Sequence, residues 1–246
     1  MKEIISVVSR KGGSGKSTTC QSIGGILRSR GERVLLIDLD SQCNLSASMG
    51  ADLTGPNGTQ LFEVGSNPRH AVQHTHNGDI VAGSKFFAGA DTIIKNNQEL
   101  KRALIPLMAE YDYILFDCPA SYGRQTANAL PAATSAVITV KAEPYSYQGM
   151  DELSSVIEQI RDANKALCLR GLIVTAYDGR SNIAKHMLDD FRVKAREIGT
   201  NVIEPPIRAT SKVFESQSVQ KNLSDYAPKS TAAQDYSRIA DVIRKW

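Results

Sequence analysis

The stretch that decides the fold of this 246-residue chain is KGGSGKST, Lys11–Thr18. It follows the apolar run Ile4–Val8 and precedes a segment with helical periodicity, so it joins a buried strand to a helix. The general phosphate-binding pattern G-x-x-x-x-G-K-[ST] begins with glycine, whereas this chain has Arg10 there. The remaining glycines still let backbone N–H groups turn toward a phosphate, and a helix N-terminus adds a favourable partial charge. We therefore predict a variant P-loop that binds a nucleotide.

The last residues of this loop supply its side-chain chemistry. A lysine at the position of Lys16 neutralises β- and γ-phosphate oxygens, and a hydroxyl at the position of Ser17 ligates magnesium. We therefore predict ATP and Mg²⁺ as the cofactors. The residues expected to contact the nucleotide are Lys11, Gly12, Gly13, Ser14, Gly15, Lys16, Ser17 and Thr18.

Aspartates follow two further strand candidates. Val34–Ile37 is followed by Asp38 and Asp40, and Tyr113–Phe116 is followed by Asp117. Parallel sheets bind ligands at the carboxyl ends of their strands, so these carboxylates are expected near the phosphates. There they can support the magnesium shell or orient the attacking water. Taken singly, each is as consistent with a helix cap or a turn.

Short apolar runs alternate with helical patterns along the whole chain, which is typical of a parallel sheet covered on both faces. We predict an α/β P-loop NTPase fold, mostly parallel, as a single domain over residues 1–246. Residues 51–97 contain turn signals and are expected to form a surface excursion with short helices. The strand candidates are Ile4–Val8, Val34–Ile37, Tyr113–Phe116, Ala136–Val140 and Leu172–Thr175. The helix candidates are Ser17–Arg30, Gln98–Glu110, Gln148–Asn164, Asn182–Ile198 and Thr231–Lys245.

Composition indicates an ordinary globular protein of the cytoplasm. The net charge of +3 is too small to indicate nucleic-acid binding by itself. The four cysteines form no C-x-x-C pair, which argues against a zinc ribbon or a disulfide scaffold. No apolar run approaches the roughly 20 residues of a spanning helix.

Lys11–Thr18 resembles the deviant Walker A motif, KGGxGK[ST][ST], of the ParA/MinD group of ATPases. Four later stretches resemble ParA motifs in particular. These are LIDLDSQCN for DxDPQGN, DCPAS for DCPPS, YDGRSN for DxRTN and APKS with Ala233 for DPxSxxA. The sequence is therefore identified as a member of the ParA family of partition ATPases, and its resemblance is weakest over residues 51–97.

The resemblance implies a mechanism and a set of site residues. ATP would bring two subunits together as a homodimer with the nucleotide between them, and Lys11 of one subunit would reach the other's phosphates. Lys16 would hold the β- and γ-phosphates, and Asp40 would position or activate water; these three are the implied catalytic residues. Ser17, Asp38 and Asp117 are the implied magnesium residues. Pro206 and Arg208 are expected beside the adenine. Hydrolysis would be slow and stimulated by a ParB-like centromere-binding partner.

Family members without an N-terminal extension bind double-stranded DNA nonspecifically as dimers. The chain starts directly at its first strand, so we expect this short type, without a helix-turn-helix, associated with the nucleoid. Arg180 and Lys212 match the DNA-contacting positions of the family. Further basic positions near that surface are Lys185, Arg192 and Arg208. The segment FESQSVQKN, Phe214–Asn222, departs from the family's SEAPSxGxP.

Three alternatives share the same loop. A MinD-like membrane switch would need a basic amphipathic surface, and the last helix balances Arg238, Arg244 and Lys245 with Asp235 and Asp241. We therefore expect no stable membrane association. An iron–sulfur carrier would need paired cysteines. A ParA-like positioner of a protein cargo stays open, because the cargo is recognised by the partner protein.

Overall fold

The computed structural model describes residues 1–143, 156–162 and 164–246, which form a seven-stranded sheet in the order β3-β4-β2-β5-β1-β6-β7. All neighbouring pairs are parallel except β3 and β4, which form an antiparallel hairpin. The strands are β1 (Glu3–Val8), β2 (Val34–Asp38), β3 (Val72–Thr75), β4 (Gly78–Val81), β5 (Tyr113–Asp117), β6 (Ser135–Lys141) and β7 (Cys168–Thr175). The predicted P-loop NTPase arrangement of a mostly parallel sheet is confirmed.

Helices cover both faces of this sheet. They are α1 (Lys16–Ser29), α2 (Asn44–Met49), α3 (Ala90–Ile93), α4 (Glu99–Leu104), α5 (Arg124–Ala132), the helical residues 156–162 as α6, α7 (Asn182–Glu197), α8 (Lys212–Ser218), α9 (Leu223–Tyr226) and α10 (Thr231–Ile243). Single 3-10 turns lie at Gly58–Phe62, Pro68–Ala71 and Lys85–Gly89. The part of predicted helix Gln148–Asn164 that covers residues 148–155 and 163 lies outside the described residues.

Alternating strand residues build two apolar layers. In β1, Ile4 and Val8 face the layer that contains α4–α7, whereas Ile5 and Val7 face the layer that contains α1 and α10. This follows from the period of two in a strand, where neighbouring side chains point to opposite faces. Burial on both faces explains why the central strands read as continuous apolar runs.

The last helix packs against α1. Its apolar residues Tyr236, Ile239 and Ile243 are buried, and the Tyr236 hydroxyl lies 3.1 Å from the Thr19 hydroxyl. The prediction of a packed terminal helix is confirmed, and the apolar face of α10 is occupied by the protein itself. No helix within the described ranges is long and apolar enough to cross a bilayer.

The prediction for residues 51–97 was incomplete. This segment does contain short helical turns, but it also contributes β3 and β4, and β4 extends the sheet beside β2. The strands have only four residues each, and β3 reads Val72–Thr75 with polar residues at both faces, so no clear alternation was visible. The predicted helix Gln98–Glu110 is likewise shorter and ends at Leu104, because Pro106 cannot donate a backbone hydrogen bond.

Candidate functional site

The predicted P-loop lies where β1 gives way to α1. Gly13 and Gly15 have φ angles of +72° and +87°, which are left-handed conformations that glycine adopts without steric cost. Lys16 begins α1 and is only 7% exposed, although it is charged. A lysine is rarely buried to this extent without a partner, and Lys16 lies close enough to Asp117 to lower the pKa of that carboxyl.

A cleft of about 1010 Å³ opens above the loop. Its floor is formed by the loop itself and by residues that follow β2, including Asp40 and Asn44. One wall consists of residues 119–125 after β5 and the segment around Phe87. The other wall is α8 and the residues that follow it, from Phe214 to Gln220. The cleft therefore lies at the carboxyl ends of the central strands, where such sheets bind ligands.

Hydroxyl groups hold the loop from the side away from the cleft. The Ser14 hydroxyl lies 3.0 Å from that of Thr139 in β6, and both side chains are buried. The Thr175 hydroxyl at the end of β7 donates to the Ser14 carbonyl at 2.9 Å. The loop is thus tied to two strands that do not precede it in sequence.

Asp38 holds the segment after β2. Its carboxylate accepts hydrogen bonds from the Ser46 N–H at 2.9 Å, the Ser46 hydroxyl at 2.7 Å and the Asp40 N–H at 3.0 Å. Burial raises the pKa of Asp38 to about 6, and these hydrogen bonds oppose that shift. Both oxygens are engaged within the protein, so Asp38 supports the residues of the site more directly than it offers a free ligand.

Asp117 stands opposite Asp38 in the register of β2 and β5. It is 1% exposed, and no hydrogen bond of ordinary geometry reaches either carboxylate oxygen among the described residues, although the Ser17 hydroxyl lies close to it. Burial, followed by repulsion from Asp38, raises the pKa of Asp117 well above its usual range, whereas Ser17 and Lys16 lower it. Burying a carboxylate is costly, and a cation that reached Asp117 would offset that cost.

These residues fit a magnesium ion that is held mainly by a nucleotide. No three or more His, Cys, Asp or Glu side chains cluster as a metal site in the part of the chain described. Magnesium commonly uses one or two carboxylates together with substrate phosphates and water. The buried carboxylate of Asp117 and the Ser17 hydroxyl beside it supply a suitable protein side of such a site.

Asp40 borders the cleft and is partly exposed. Its carboxylate accepts a hydrogen bond from the Gln42 N–H at 3.0 Å. Three residues later, Cys43 adopts a φ of +53° immediately before α2. A left-handed conformation favours glycine, which is the usual family residue at this point of the predicted motif. Cys43 therefore has the left-handed conformation in which glycine would be unstrained, although it carries a side chain.

Lys11 lies at the start of the loop and is not one of the residues that line the cleft. Its side chain is 50% exposed, and its ammonium lies 3.7 Å from a Glu143 carboxylate oxygen. An ion pair this long and this exposed contributes roughly 1 kcal/mol or less. Lys11 is consequently free to exchange this partner for another anion.

Comparisons with known proteins show the family of this chain. A family model described as an AAA domain matches residues 2–169. The chromosome partitioning protein ParA of Myxococcus xanthus is 32% identical over 252 residues, which cover 98% of this chain and 88% of that protein. The chain belongs to the ParA family. The chromosome-partitioning ATPase Soj of Thermus thermophilus is also 32% identical, with 97% and 94% of the two chains covered.

Solved structures agree with this ParA-family fold. Cobyrinic acid a,c-diamide synthase from Mycobacterium smegmatis, crystallised with an ATP analogue and magnesium, superposes with a TM-score of 0.86 at 30% identity. That match covers 100% of this chain and 96% of the synthase. The septum site-determining protein MinD of Pyrococcus horikoshii, complexed with Mg-ADP, has a TM-score of 0.81 at 23% identity and supports the fold alone.

The residues predicted beside the adenine do not line the cleft. Pro206 and Arg208 lie in the segment after α7, where Val202 forms an isolated bridge with Leu172 of β7 and Arg208 forms one with Tyr177, just after β7. The Arg208 guanidinium makes two hydrogen bonds, at 2.8 and 2.7 Å, to the buried carboxylate of Asp235. That pairing fixes Arg208 to α10, and its adenine contact stays a prediction.

Both residues predicted to contact DNA are exposed, and each forms an ion pair with a carboxylate of the same chain. Arg180 is 92% exposed and bonds Asp178 at 3.0 Å. Lys212 bonds Glu215 at 2.7 Å and lowers the pKa of that carboxyl to about 2, together with hydrogen bonds from Ser211 and Tyr226. The structure thus places both cations on the surface, each beside a carboxylate.

Several residues of the site were not found from the sequence. Ser46 and Thr175 act through buried hydroxyls that meet the site from other elements, and no spacing rule identifies such contacts. Gln217 donates to the Thr18 hydroxyl at 3.0 Å and joins α8 to the loop. The departure of Phe214–Asn222 from the family motif gave no indication that this segment forms a wall of the cleft.

Proposed function

We propose that this chain is an ATPase that binds and hydrolyses Mg-ATP and acts in the segregation of a plasmid, chromosome or mobile element. One observation carries this proposal. Lys16 and the left-handed Gly13 and Gly15 line one cleft, and the buried Asp117 carboxylate at the end of β5 lies close to Lys16 and Ser17. A triphosphate with magnesium satisfies all three groups together, because it supplies anionic oxygens to the amides and lysine and a cation to the carboxylate.

The chain's own residues divide the work of hydrolysis. Lys16 and the loop amides hold the phosphate oxygens and neutralise charge as it develops in the transition state. Magnesium supplies further charge neutralisation when bound, with Ser17 and Asp117 as its protein partners. Asp40 orients the attacking water from the rim of the cleft, where it is partly open to solvent. Asp38 positions Asp40 through the hydrogen bond from the Asp40 N–H.

Lys11 acts between subunits in this proposal. An ATP-dependent homodimer would bring the phosphates of one subunit to the exposed Lys11 of its partner, in place of Glu143. A triphosphate is a stronger attraction for an ammonium than a single exposed carboxylate at 3.7 Å. The long, weak pair is therefore consistent with an exchange of partners.

Lys11→Ala is expected to keep nucleotide affinity within about fivefold but to weaken the ATP-dependent dimer at least tenfold, a change of about 1.4 kcal/mol. Sedimentation velocity with a slowly hydrolysed ATP analogue measures both populations. Lys141→Ala is the matched control, because Lys141 also pairs with Glu143 but lies on β6. Wild-type dimerisation by Lys11→Ala would refute the proposed role.

The ATP dimer is also proposed to bind double-stranded DNA without sequence preference, through Arg180 and Lys212. Two copies of a modest basic surface make one wider surface, which links DNA binding to ATP. Contacts to phosphates carry little sequence information and weaken steeply with salt. The internal pairs with Asp178 and Glu215 are exposed, so their rearrangement toward DNA costs little.

Charge reversal of both residues, Arg180→Glu with Lys212→Glu, is expected to lower DNA affinity at least 30-fold at low salt while sparing nucleotide binding. That figure corresponds to about 2 kcal/mol. A gel shift with ATP, ADP and no nucleotide measures it. The double variant Lys101→Glu with Arg102→Glu makes the same change of charge on exposed residues of α4. Equal DNA retention by the two double variants would place the DNA surface elsewhere.

Partner and location follow from the same proposal. We propose a ParB-like partner that stimulates a slow ATPase, and a nucleoid-associated protein of the cytoplasm. A membrane switch is less consistent with the structure, because the apolar face of α10 packs against α1. A ParA-like positioner of protein cargo would use the same chemistry with a different partner.

A further inference from the structure

Thr175 contacts the P-loop through the backbone carbonyl of Ser14. It is the last residue of β7 and 5% exposed, and its hydroxyl lies 2.9 Å from the Ser14 carbonyl oxygen and 3.3 Å from that of Val140. Thr175 does not line the cleft, whereas Gly15 does. The Ser14 carbonyl is therefore drawn toward the side of the loop that faces away from the cleft.

A trans peptide unit is planar, so its carbonyl and N–H groups point in opposite directions. Since the Ser14 carbonyl points toward Thr175, the N–H of Gly15 in the same peptide unit points away from Thr175, and Gly15 lines the cleft. That N–H donates to no backbone carbonyl among the residues that the structure describes. The hydrogen bond from Thr175 thus fixes the direction of a donor that faces the place of a phosphate.

The methyl group of Thr175 restrains the same peptide. A Cβ atom built on Gly15 would lie 3.1 Å from the Thr175 methyl carbon, so the backbone of Gly15 rests close to this side chain. The contact leaves room for glycine in its left-handed conformation and for little else. The nearby Ser14 hydroxyl is held separately, 3.0 Å from the hydroxyl of Thr139.

We propose that Thr175 is a positioning residue for the phosphates, because its hydroxyl orients the Ser14–Gly15 peptide and aims the Gly15 N–H into the cleft. This inference rests on the proposed nucleotide site. It connects the end of β7 to the loop after β1, across the intervening β6. A rotated peptide would present a carbonyl to a phosphate and replace attraction by repulsion.

Thr175→Val tests the hydroxyl, because valine keeps the branched shape and the methyl contact with Gly15. We expect its affinity for Mg-ADP to fall about tenfold in calorimetry, with the wild-type value restored to within about threefold by Thr175→Ser. Thr139→Val is the matched control, since it removes a buried hydroxyl that contacts the Ser14 side chain and not the peptide. It is expected to change affinity less than about threefold.

The amide resonance of Gly15 provides a readout that a merely structural role would not move. In ¹⁵N-labelled wild-type protein, we expect ADP to shift the Gly15 proton strongly downfield, and in Thr175→Val we expect a smaller shift. If the valine variant fails to fold, the wild-type spectrum still tests the inference. A Gly15 amide proton whose chemical shift does not change when ADP is added would overturn it.

Two further results would overturn it. One is equal affinity of wild type and Thr175→Val. The other is an equal loss in Thr175→Val and Thr175→Ser, which would assign the effect to packing. Absence of ADP binding by wild type would instead overturn the proposed function, and this inference with it.

Discussion

Lys16→Ala is expected to lower the affinity for ATP and ADP at least about 100-fold, which corresponds to about 2.7 kcal/mol. The ammonium is buried at the base of the cleft, and hydrogen bonds to charged groups contribute about 1.5–3 kcal/mol each. Its removal also takes away a positive charge that lies close to the Asp117 carboxylate, so the site loses attraction for phosphate.

Calorimetric titration with ADP and a slowly hydrolysed ATP analogue measures this effect. Lys11→Ala is the matched control, because it removes the other lysine of the same loop from an exposed position. We expect the control to bind with nearly wild-type affinity. Comparable affinities of Lys16→Ala and wild type would exclude Lys16 from the phosphate site.

Asp40→Ala is expected to retain ATP affinity within about threefold but to lose at least about 100-fold in turnover, or about 2.7 kcal/mol of transition-state stabilisation. Asp40 reaches the cleft from its rim and its carboxylate accepts one hydrogen bond, from the nearby Gln42 N–H. It therefore carries little of the structure, in contrast to Asp38, whose carboxylate holds Ser46.

Single-turnover release of phosphate separates binding from chemistry in this variant. Asp91→Ala is the matched control, because Asp91 is a carboxylate that also lines the cleft but is 86% exposed and pairs with Arg124. We expect the control to hydrolyse ATP normally, and Asp40→Ala to accumulate as an ATP-bound dimer. Normal phosphate release by Asp40→Ala would assign the water-positioning role to another group.

The central part of the site was predictable because its signals are local. A strand, a glycine-rich loop and a helix follow one another in Ile4–Arg30, and their order fixes where Lys16 lies. Asp38 and Asp117 each end an apolar strand of five residues, so the sequence placed them at the carboxyl ends of parallel strands. The register of β2 and β5 confirms that they are neighbours. Local pattern and tertiary structure agree in these elements.

The remaining parts depend on contacts between distant segments. β3 and β4 have only four residues each, too few to show a period, and they are recognisable as strands only because β4 pairs with β2. Thr175 looked like the end of a strand, and its role follows from one hydrogen bond to Ser14 across 161 residues. The engagement of Asp38 by Ser46 likewise required the fold.

Titration of the wild-type protein with ADP and with an ATP analogue, in the presence of magnesium and then of a chelator, tests the central claim most directly. We expect one nucleotide per chain, and an affinity that falls at least about tenfold without magnesium, a change of about 1.4 kcal/mol. No detectable binding of either adenine nucleotide at a concentration of about 1 mM would contradict the claim. A Kd of about 1 mM corresponds to a binding free energy of roughly −4 kcal/mol.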